Sequence, residues 1–336
     1  MAAGKEKIAV LGAGSWGTAL ARLLAQKDYQ VQLWARRPEV VEAINQRQEN
    51  PFYLPEVSLP ASLKASANLE EVLKAAQMVV LAVPSHALRQ VLRLSKGVLP
   101  REVPWVSTIK GIEEDSLLTM SQVIAQECPG SPVAVLSGPS FAEEVVRERP
   151  TAVTVASHDR DVAERVQLLF STSFFRVYLS LDLLGVELAG ALKNVIAIAV
   201  GISDGLGLGL NARAALITRG LAEIARLGVH LGANPLTFSG LAGLGDLVLT
   251  CTGPLSRNRT VGVRLGQGEK LADILADLRQ VAEGVRTTSS ARSLAQKHGI
   301  EMPITEAVYQ VLYHQKDPLE MAQSLLSRKL KEEFEF

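Results

Sequence analysis

One lysine stands in the middle of the most apolar stretch of the chain. Residues 186–202 are almost all apolar or small, and only Glu187, Lys193 and Asn194 break the pattern. A helix that is apolar on every side is normally buried, and an ammonium held away from water either pairs with an acid or lowers its pKa. Lys193 is therefore a candidate proton donor and acceptor that faces a ligand. The alternative is a structural lysine that reaches the surface or pairs with Glu187 or Asp204.

A second group of candidates follows in a glycine-rich stretch. Asp246 is an acid among apolar residues and needs a partner, for which Lys193 is the obvious choice; a helix cap is the alternative. Further along, Ser256, Arg257 and Asn258 open a predicted helix, where a hydroxyl, a guanidinium and an amide surround free backbone amides. This combination favours a phosphate or polyol site. A capping serine beside solvated arginines is the other interpretation.

The N-terminal part of the chain has the pattern of a dinucleotide-binding turn. A short apolar strand, residues 7–11, leads directly into Gly12, Gly14 and Gly17, and a helical pattern follows over residues 18–25. Gly12 permits a tight turn, Gly14 lets the backbone approach a pyrophosphate, and Gly17 lets the helix pack on the strand. The amides at the helix start would hold the phosphate charge. A purely structural glycine turn remains the alternative.

The residues after the second predicted strand bear on the choice of coenzyme. Strand 31–35 ends in Arg36 and Arg37, where an acid usually binds the ribose hydroxyls. Arginines at this place suit a 2′-phosphate, so NADP is expected to bind well, while NAD use stays open; a solvated loop is the alternative. Glu39 is interpreted as first-turn helix chemistry. Tyr53 either stacks near the cofactor or anchors its loop.

Two more predicted strands carry candidate residues at their carboxyl ends, where ligands bind in open α/β sheets. Strand 104–109 leads to Lys110, a candidate cation for a substrate phosphate, although an exposed loop lysine is possible. Strand 132–136 leads to Gly138, which permits close backbone approach, and to Ser140, which either caps a helix or binds ligand. Glu283, late in the chain, could accept from a nicotinamide amide or ribose, or could be a surface acid.

The order of the elements predicts two domains. Strands and helices alternate up to about residue 182, which favours an N-terminal Rossmann-like, doubly wound α/β sheet over residues 1–182. Only helical patterns follow, so residues 183–336 are expected to form an all-α C-terminal domain. Within it, residues 203–211 are interpreted as a flexible turn, because glycines alternate with leucines there.

The composition excludes several classes of protein. The chain has 336 residues, of which 47% are hydrophobic, and 35 Lys and Arg balance 35 Asp and Glu. No overall field therefore favours nucleic acid or an anionic membrane. Cys128 and Cys251 form neither a disulfide framework nor a metal-ligand cluster, and no metal is expected. Because the N-terminus lacks the apolar core of a signal peptide, we expect a cytoplasmic protein without stable membrane insertion.

Nine motifs spread over nearly the whole chain resemble one family, the bacterial-type NAD(P)-dependent glycerol-3-phosphate dehydrogenases. They are residues 12–20, 50–55, 110–113, 138–144, 193–195, 204–209, 244–247, 250–259 and 281–284. The resemblance implies NADP(H) and/or NAD(H) as cofactor and the reversible reduction of dihydroxyacetone phosphate to sn-glycerol 3-phosphate, the precursor of phospholipid backbones. It also implies that the helical domain is 6-phosphogluconate-dehydrogenase-like, and we expect a homodimer.

The resemblance also implies roles for individual residues. Lys193 falls on the proton acceptor, and Asp246 would orient it. The cofactor positions comprise the three glycines and Arg37 named above together with Ser15, Trp16, Arg36, Tyr53, Lys110, Ala142, Arg257, Val281 and Glu283. The substrate positions comprise Lys110, Gly138, Ser140, Lys193, Asp246, Ser256, Arg257 and Asn258. Many members carry His at position 36, so the balance between NAD and NADP is open.

Two rival hypotheses remain. A β-hydroxyacid-type dehydrogenase also joins a Rossmann domain to a helical domain with a lysine, but it binds a carboxylate instead of a phosphate. A nucleotide-sensing protein would keep the fold without catalysis. A sensor has no need of a lysine and an acid in apolar surroundings, which argues against the second hypothesis.

Overall fold

The computed structural model describes residues 6–99, 102–278, 281–330 and 332–333. The chain divides into two compact units: unit 1 comprises Met1–Ile109 and Met120–Leu183, and unit 2 comprises Lys110–Thr119 and Leu184–Phe336. Lys110–Thr119 thus belongs with the helical unit, whereas the predicted domain 1–182 included it. The cause is local packing, because Ile112 lies in the hydrophobic core of unit 2 and its carbonyl accepts a 3.1 Å hydrogen bond from the Ser290 hydroxyl.

Unit 1 is built on one eight-stranded sheet. Its strands are β1 (Lys7–Leu11), β2 (Gln30–Trp34), β3 (Lys64–Ser66), β4 (Met78–Leu81), β5 (Trp105–Ser107), β6 (Val133–Ser137), β7 (Thr151–Ala156) and β8 (Phe175–Ser180). They are ordered β3-β2-β1-β4-β5-β6-β7-β8, and of these described strands β6 and β7 pair antiparallel while the other neighbours are parallel. The first six follow the order of doubly wound dinucleotide-binding sheets, with the reversal between β1 and β4. The predicted α/β fold class is confirmed.

Among the described residues of unit 1, seven α-helices connect the strands. They are α1 (Ser15–Gln26), α2 (Pro38–Glu42), α3 (Leu69–Leu73), α4 (Leu88–Leu94), α5 (Met120–Glu127), α6 (Ala142–Val146) and α7 (Arg160–Phe170). Strands β1 and β4 are buried along their length apart from the first residue of β1, because helices cover both faces of a parallel sheet. The turn that follows β1 therefore lies at the switch point of the sheet.

Unit 2 is helical among its described residues. Its helices are α8 (Leu183–Gly205), α9 (Gly209–His230), α10 (Pro235–Phe238), α11 (Asp246–Thr252), α12 (Arg257–Gly266), α13 (Leu271–Asp277), α14 (Glu283–Lys297), α15 (Pro303–His314) and α16 (Pro318–Leu326). Residues 185–203 of α8 are buried on every side, as the apolar pattern predicted. The predicted flexible turn 203–211 is wrong, because α8 continues to Gly205 and α9 begins at Gly209.

Helices α8 and α12 pack with their backbones in contact. A Cβ atom added at Gly201 would lie 2.2 Å from the carbonyl oxygen of Arg259, and one at Gly262 would lie 2.2 Å from that of Ile198. One turn further on, Gly205 and Gly266 make the same kind of approach. Only glycine fits at these positions, so the spacing of four residues on each helix determines how closely α12 lies beside α8.

Among the described residues, Leu183–Gly205 is a single helix long and apolar enough to cross a membrane. The bent pair Pro235–Thr252 and Arg257–Gly266 passes the same test only if it counts as one span. However, 94% of the most apolar window of α8 is buried inside the protein. Such burial is typical of the core helix of a globular domain.

A buried carboxylate caps one helix of unit 2. Glu223, in α9, is 2% exposed, and its carboxylate accepts hydrogen bonds from the backbone N–H groups of Ile304 (2.6 Å) and Thr305 (3.2 Å). The Thr305 hydroxyl donates to it as well. Helix α15 has no capping side chain at its own start, so Glu223 satisfies amides that the helix leaves unpaired. Burial raises the pKa of Glu223 to about 7, against the opposing effect of these hydrogen bonds.

We expect Glu223 to make the protein less stable as the pH rises. Its pKa is about 7 in the folded protein against an ordinary 4.5, so the folded state binds the proton more tightly and stability falls between these two pH values. Glu223→Gln should remove this pH-dependent loss in the free energy of unfolding, which is on the order of 2–3 kcal/mol for such a pKa shift. Urea unfolding from about pH 5 to 8 measures it, with the exposed Glu320→Gln as control. An unchanged slope in Glu223→Gln would contradict the prediction.

Candidate active site

Lys193 and Asp246 form a buried ion pair. The Lys193 Nζ atom lies 2.6 Å from Asp246 Oδ1, and the two side chains are 7% and 2% exposed. Helix α8 supplies the lysine, and the first residue of α11 supplies the acid. The partnership inferred from the sequence is therefore present. The alternative of Lys193 pairing with Asp204 is wrong, because Asp204 binds the guanidinium groups of Arg213 and Arg259.

Lys110 binds the second oxygen of the same carboxylate. Its Nζ atom lies 2.6 Å from Asp246 Oδ2, and its side chain is 21% exposed. Asp246 thus stands between two lysines, with one oxygen for each. Because two cations share one carboxylate, the cluster has a net positive charge when both lysines are protonated, which favours an anionic ligand.

A threonine completes the surroundings of Lys193. The Thr250 hydroxyl donates to the main-chain carbonyl of Asp246 (2.7 Å) and accepts from Lys193 Nζ (2.5 Å). Thr250 lies one helical turn after Asp246 on α11, so both side chains share one face. The hydroxyl proton is directed at the carbonyl, which leaves the oxygen lone pairs for the ammonium. Together, Asp246 and Thr250 hold the lysine in one orientation.

The position of Lys193 lowers its proton affinity. Burial lowers the pKa of Lys193 to about 8; Asp246 opposes this fall, and the neighbouring charge of Lys110 adds to it. A general acid or base works best when its pKa lies near the working pH. An amine with a pKa of about 8 can both donate and accept a proton near neutrality, as the sequence hypothesis required.

Two asparagines connect α8 to the starts of two other helices. Asn258 Nδ2 donates to Asn194 Oδ1 at 2.8 Å, and Asn258 Oδ1 accepts from the backbone N–H of Gly284 at 2.9 Å. Asn194 Nδ2 in turn donates to the carbonyl of Lys110 at 3.4 Å. A Cβ atom at Gly284 would lie 2.7 Å from the carbonyl oxygen of Asn194, so only glycine permits this approach. The relay ties the candidate substrate residue Asn258 to the lysine cluster.

The other candidates of unit 2 lie at the starts of α12 and α14. Ser256 caps α12, since its hydroxyl accepts from the backbone N–H of Arg259 at 3.3 Å. Burial lowers the pKa of Arg257, the first residue of α12, and the negative charge of Glu283, the first residue of α14, opposes this fall. Val281 is 40% exposed. Ser256 therefore has the capping role that was the alternative to ligand binding, while Arg257 and Glu283 interact through their opposite charges.

In unit 1, the glycine turn has the geometry that a diphosphate requires. Gly12 has φ +115°, and a Cβ atom at Gly17 would lie 1.8 Å from the carbonyl oxygen of Gly12. By contrast, a Cβ atom at Gly14 would meet nothing within 4 Å. Gly12 and Gly17 thus serve the turn itself, and Gly14 leaves open space in front of the α1 amides, where a phosphate can approach. These residues fit a dinucleotide.

The loop around residues 50–55 holds this turn in place. The Ser15 hydroxyl donates to the carbonyl of Tyr53 at 2.5 Å. Asn50, which is buried, donates from Nδ2 to the carbonyl of Ala13 (2.9 Å) and to the hydroxyl of Thr18 (2.8 Å). Tyr53 thus anchors its loop to the turn through its main-chain carbonyl.

Arg36 and Arg37, after β2, have different surroundings. Arg37 Nε donates to Glu39 Oε1 at 2.7 Å. The interpretation of Glu39 as first-turn chemistry alone is therefore incomplete, because it also forms an ion pair. Arg36 is exposed, and none of the residues that the structure describes forms an ion pair with its guanidinium.

The remaining candidates of unit 1 cluster near α6. Gly138 has φ +141°, and a Cβ atom there would lie 2.9 Å from Val153 Cα, so the glycine is required by the sheet itself. The Ser140 hydroxyl donates to the carbonyl of Gly138 at 3.0 Å, and the residue before α6 is Phe141, so Ser140 is not the helix cap. Trp16 and Ala142 pack on one small apolar cluster of Ala19, Leu54 and Val146.

Three residues in these clusters had no role assigned from the sequence. Thr250 could have been found from its spacing, because it lies four residues after Asp246 in a helical pattern. Asn194 follows Lys193 directly and was noted only as a polar residue. Asn50 belongs to the motif 50–55, but the sequence did not indicate its contacts, since its partners are 37 and 32 residues away in the chain.

Among the described residues, no group of His, Cys, Asp and Glu side chains could hold a metal ion.

Comparison with known proteins gives one consistent result. Residues 7–163 match the model of the NAD-dependent glycerol-3-phosphate dehydrogenase N-terminus, and residues 182–323 match that of the C-terminus. The glycerol-3-phosphate dehydrogenase [NAD(P)+] of Geobacter sp. strain M21 is 55% identical over 98% of this chain and 99% of its own length. The enzyme of that name from Leptospira biflexa is 53% identical over 97% and 99%.

A solved structure agrees with these relatives. The crystal structure of glycerol-3-phosphate dehydrogenase from Coxiella burnetii superposes with a TM-score of 0.94 at 44% identity, covering 96% of this chain and 99% of that one. The match spans both units, and the identities lie far above the level at which only a fold is shared. The chain belongs to the NAD(P)-dependent glycerol-3-phosphate dehydrogenase family.

Proposed function

We propose that this chain reduces dihydroxyacetone phosphate reversibly to sn-glycerol 3-phosphate with NADPH or NADH. The observation that carries the proposal is the buried Lys193, paired with Asp246 and tuned to a pKa of about 8. The relatives of known name support the substrate. The nicotinamide cofactor, when bound, supplies or accepts the hydride at C2 of the substrate. In the reductive direction the product would serve glycerophospholipid synthesis.

Lys193 moves the proton in this proposal. As ammonium it protonates the C2 oxygen during reduction, and as neutral amine it takes the C2 hydroxyl proton during oxidation. Asp246 and Thr250 orient its Nζ atom through hydrogen bonds of 2.6 Å and 2.5 Å. Asp246 also keeps the amine from losing its proton too easily, because its charge opposes the effect of burial.

We propose that the substrate phosphate binds to the cationic and amide groups of unit 2. Arg257 offers a guanidinium at the start of α12, beside Ser256 and Asn258, and Lys110 adds an ammonium at the lysine cluster. Binding a dianion far from C2 fixes the reacting carbon in position, which is the orientation effect. Gly138 and Ser140, which lie within residues 1–182, are also proposed to bind the substrate.

We propose that residues 1–182 bind the dinucleotide and residues 183–336 the substrate. The Gly12, Gly14 and Gly17 turn and the α1 amides would hold the diphosphate. The other proposed cofactor residues are Ser15, Trp16, Arg36, Arg37, Tyr53, Lys110, Ala142, Arg257, Val281 and Glu283.

We also propose that the protein is a cytoplasmic homodimer. The exposed Leu208 and Leu210 at the start of α9 support the dimer. Light scattering of the purified protein tests it.

The loss of reduced-cofactor absorbance tests the function. We expect rapid oxidation of NADPH or NADH with dihydroxyacetone phosphate, and little with unphosphorylated dihydroxyacetone, because the phosphate supplies the orienting contacts. Comparison of the two cofactors would show the coenzyme preference. No oxidation with either cofactor, by a protein that still binds NADPH, would contradict the proposal. Activity on a panel of hydroxyacids would then favour the rival dehydrogenase, and inactivity the nucleotide sensor.

A further inference from the structure

The two arginines that follow β2 are not equivalent as phosphate ligands. The Arg37 guanidinium is bound to Glu39 through a 2.7 Å ion pair, with the two side chains 45% and 49% exposed. Arg36 has no such acid among the residues that the structure describes. One arginine is therefore available to an incoming anion at once, and the other already holds a carboxylate.

The partners of Arg37 keep it in this arrangement. Its guanidinium carbon lies 4.9 Å from the centre of the Phe52 ring, a distance at which a cation is attracted to an aromatic face. The hydrogen bond with Glu39 is the main cause of a raised pKa of Arg37, and a hydrogen bond with Tyr53 contributes less. A hydrogen bond from its own backbone N–H, and to a lesser extent the one from Arg37, lowers the pKa of the Glu39 carboxyl. The carboxyl is therefore ionised at neutral pH.

Glu39 changes the charge that a coenzyme meets. Arg36 and Arg37 alone would present two positive charges, whereas Glu39 reduces the total to one. A phosphate monoester carries about two negative charges at neutral pH. A 2′-phosphate that approaches Arg37 would meet the negative charge of Glu39, whose Oε1 already lies 2.7 Å from the Nε atom of the same guanidinium. A ribose 2′-hydroxyl, which has no charge, meets no such competition.

We propose that Glu39 is a coenzyme-specificity-determining residue, whose carboxylate occupies Arg37 and weakens binding of the 2′-phosphate. The pair keeps NADP(H) from being preferred as strongly as two free arginines would make it, and so leaves NAD(H) usable. The inference rests on the proposed dinucleotide site of residues 1–182, and it adds a residue that acts against one of the two coenzymes.

The test compares the binding of two adenosine fragments by the full-length protein. Adenosine 2′,5′-bisphosphate carries the 2′-phosphate, and 5′-AMP lacks it, so the ratio of their Kd values isolates that group. In Glu39→Gln we expect the ratio, measured by titration calorimetry, to shift about two- to five-fold toward the bisphosphate, the scale of an exposed ion pair. Glu42→Gln is the matched control, because it removes the same charge from an exposed position of the same helix.

A second variant shows whether Glu39 acts through Arg37. In an Arg37→Gln background, Glu39→Gln should no longer change the ratio more than Glu42→Gln does. A shift in Glu39→Gln no larger than in the control, or one that persists without Arg37, would overturn the proposal. If neither fragment binds the unmodified protein, the dinucleotide site itself is wrong; binding of both with an unaltered ratio contradicts only the role of Glu39.

Discussion

Replacing Lys193 by methionine is expected to lower kcat for dihydroxyacetone phosphate reduction by about 10³-fold, within the range of a lost general acid. Methionine fills a similar volume, so the 7% exposed site should stay packed while the proton donor is lost. Asp246 keeps Lys110 as a partner at 2.6 Å, so no unpaired charge is buried. Steady-state kinetics measures the loss, and calorimetry should find the binding of adenosine fragments retained.

The control for this variant is Lys297→Met, which changes an exposed lysine in the last turn of α14. It should keep full activity, since that residue has no part in the cluster. Retention of more than a tenth of kcat by Lys193→Met, in a protein with the thermal stability of the wild type, would show that Lys193 is not the proton donor.

The pH dependence of the two directions follows from the same residue. Because burial lowers the pKa of Lys193 to about 8, kcat/KM for reduction should fall as the pH rises through 8, where the ammonium is lost. For oxidation the neutral amine is the active form, so kcat/KM should rise over the same interval. Both limbs should be absent in Lys193→Met, and parallel profiles in the two directions would contradict the assignment.

Replacing Gly262 by alanine is expected to destabilise the protein by about 3 kcal/mol or more, a large overpacking effect. The new Cβ atom would lie 2.2 Å from the carbonyl oxygen of Ile198 and 2.8 Å from Gly201 Cα. Both obstacles are main-chain atoms of α8, so no side chain can turn aside, and α12 must move away. Scanning calorimetry should show a fall in Tm of roughly 4 °C or more.

The control lies on the solvent side of the same helix. Thr260→Ala, at an exposed position of α12, should cost no more than about 1 kcal/mol. Gly201→Ala approaches the same contact from α8, where its Cβ atom would lie 2.2 Å from the carbonyl oxygen of Arg259, and should be as harmful as Gly262→Ala. If Gly262→Ala and Gly201→Ala have the same Tm as Thr260→Ala, close backbone contact does not hold α8 and α12 together.

The predicted elements agree with the structure where a local pattern is strong. The strand at residues 7–11, the glycine turn and α1 follow in the expected order, because apolar periodicity and glycine spacing are local properties. Strand β3 was missed, since Lys64–Ser66 is three residues long and mixed in polarity. The boundary between α8 and α9 was misjudged because the glycines there serve close helix packing at Gly205 and helix termination at Gly207, and not a long turn.

What the amino-acid sequence determined by itself is the α/β sheet followed by helices, the dinucleotide turn and the identity of the buried lysine. Each depends on residues that are close together in the chain. The sequence also suggested Asp246 as the partner of Lys193, but the tertiary structure decided that Lys110 binds the same carboxylate. Asp246 is 53 residues from Lys193 and 136 from Lys110, and only the packing of α8, α11 and the segment Lys110–Thr119 in one unit brings one carboxylate between both lysines. No local sequence pattern encodes the contact of Asp246 with both lysines, because ion pairs depend on distance in space and not on separation along the chain.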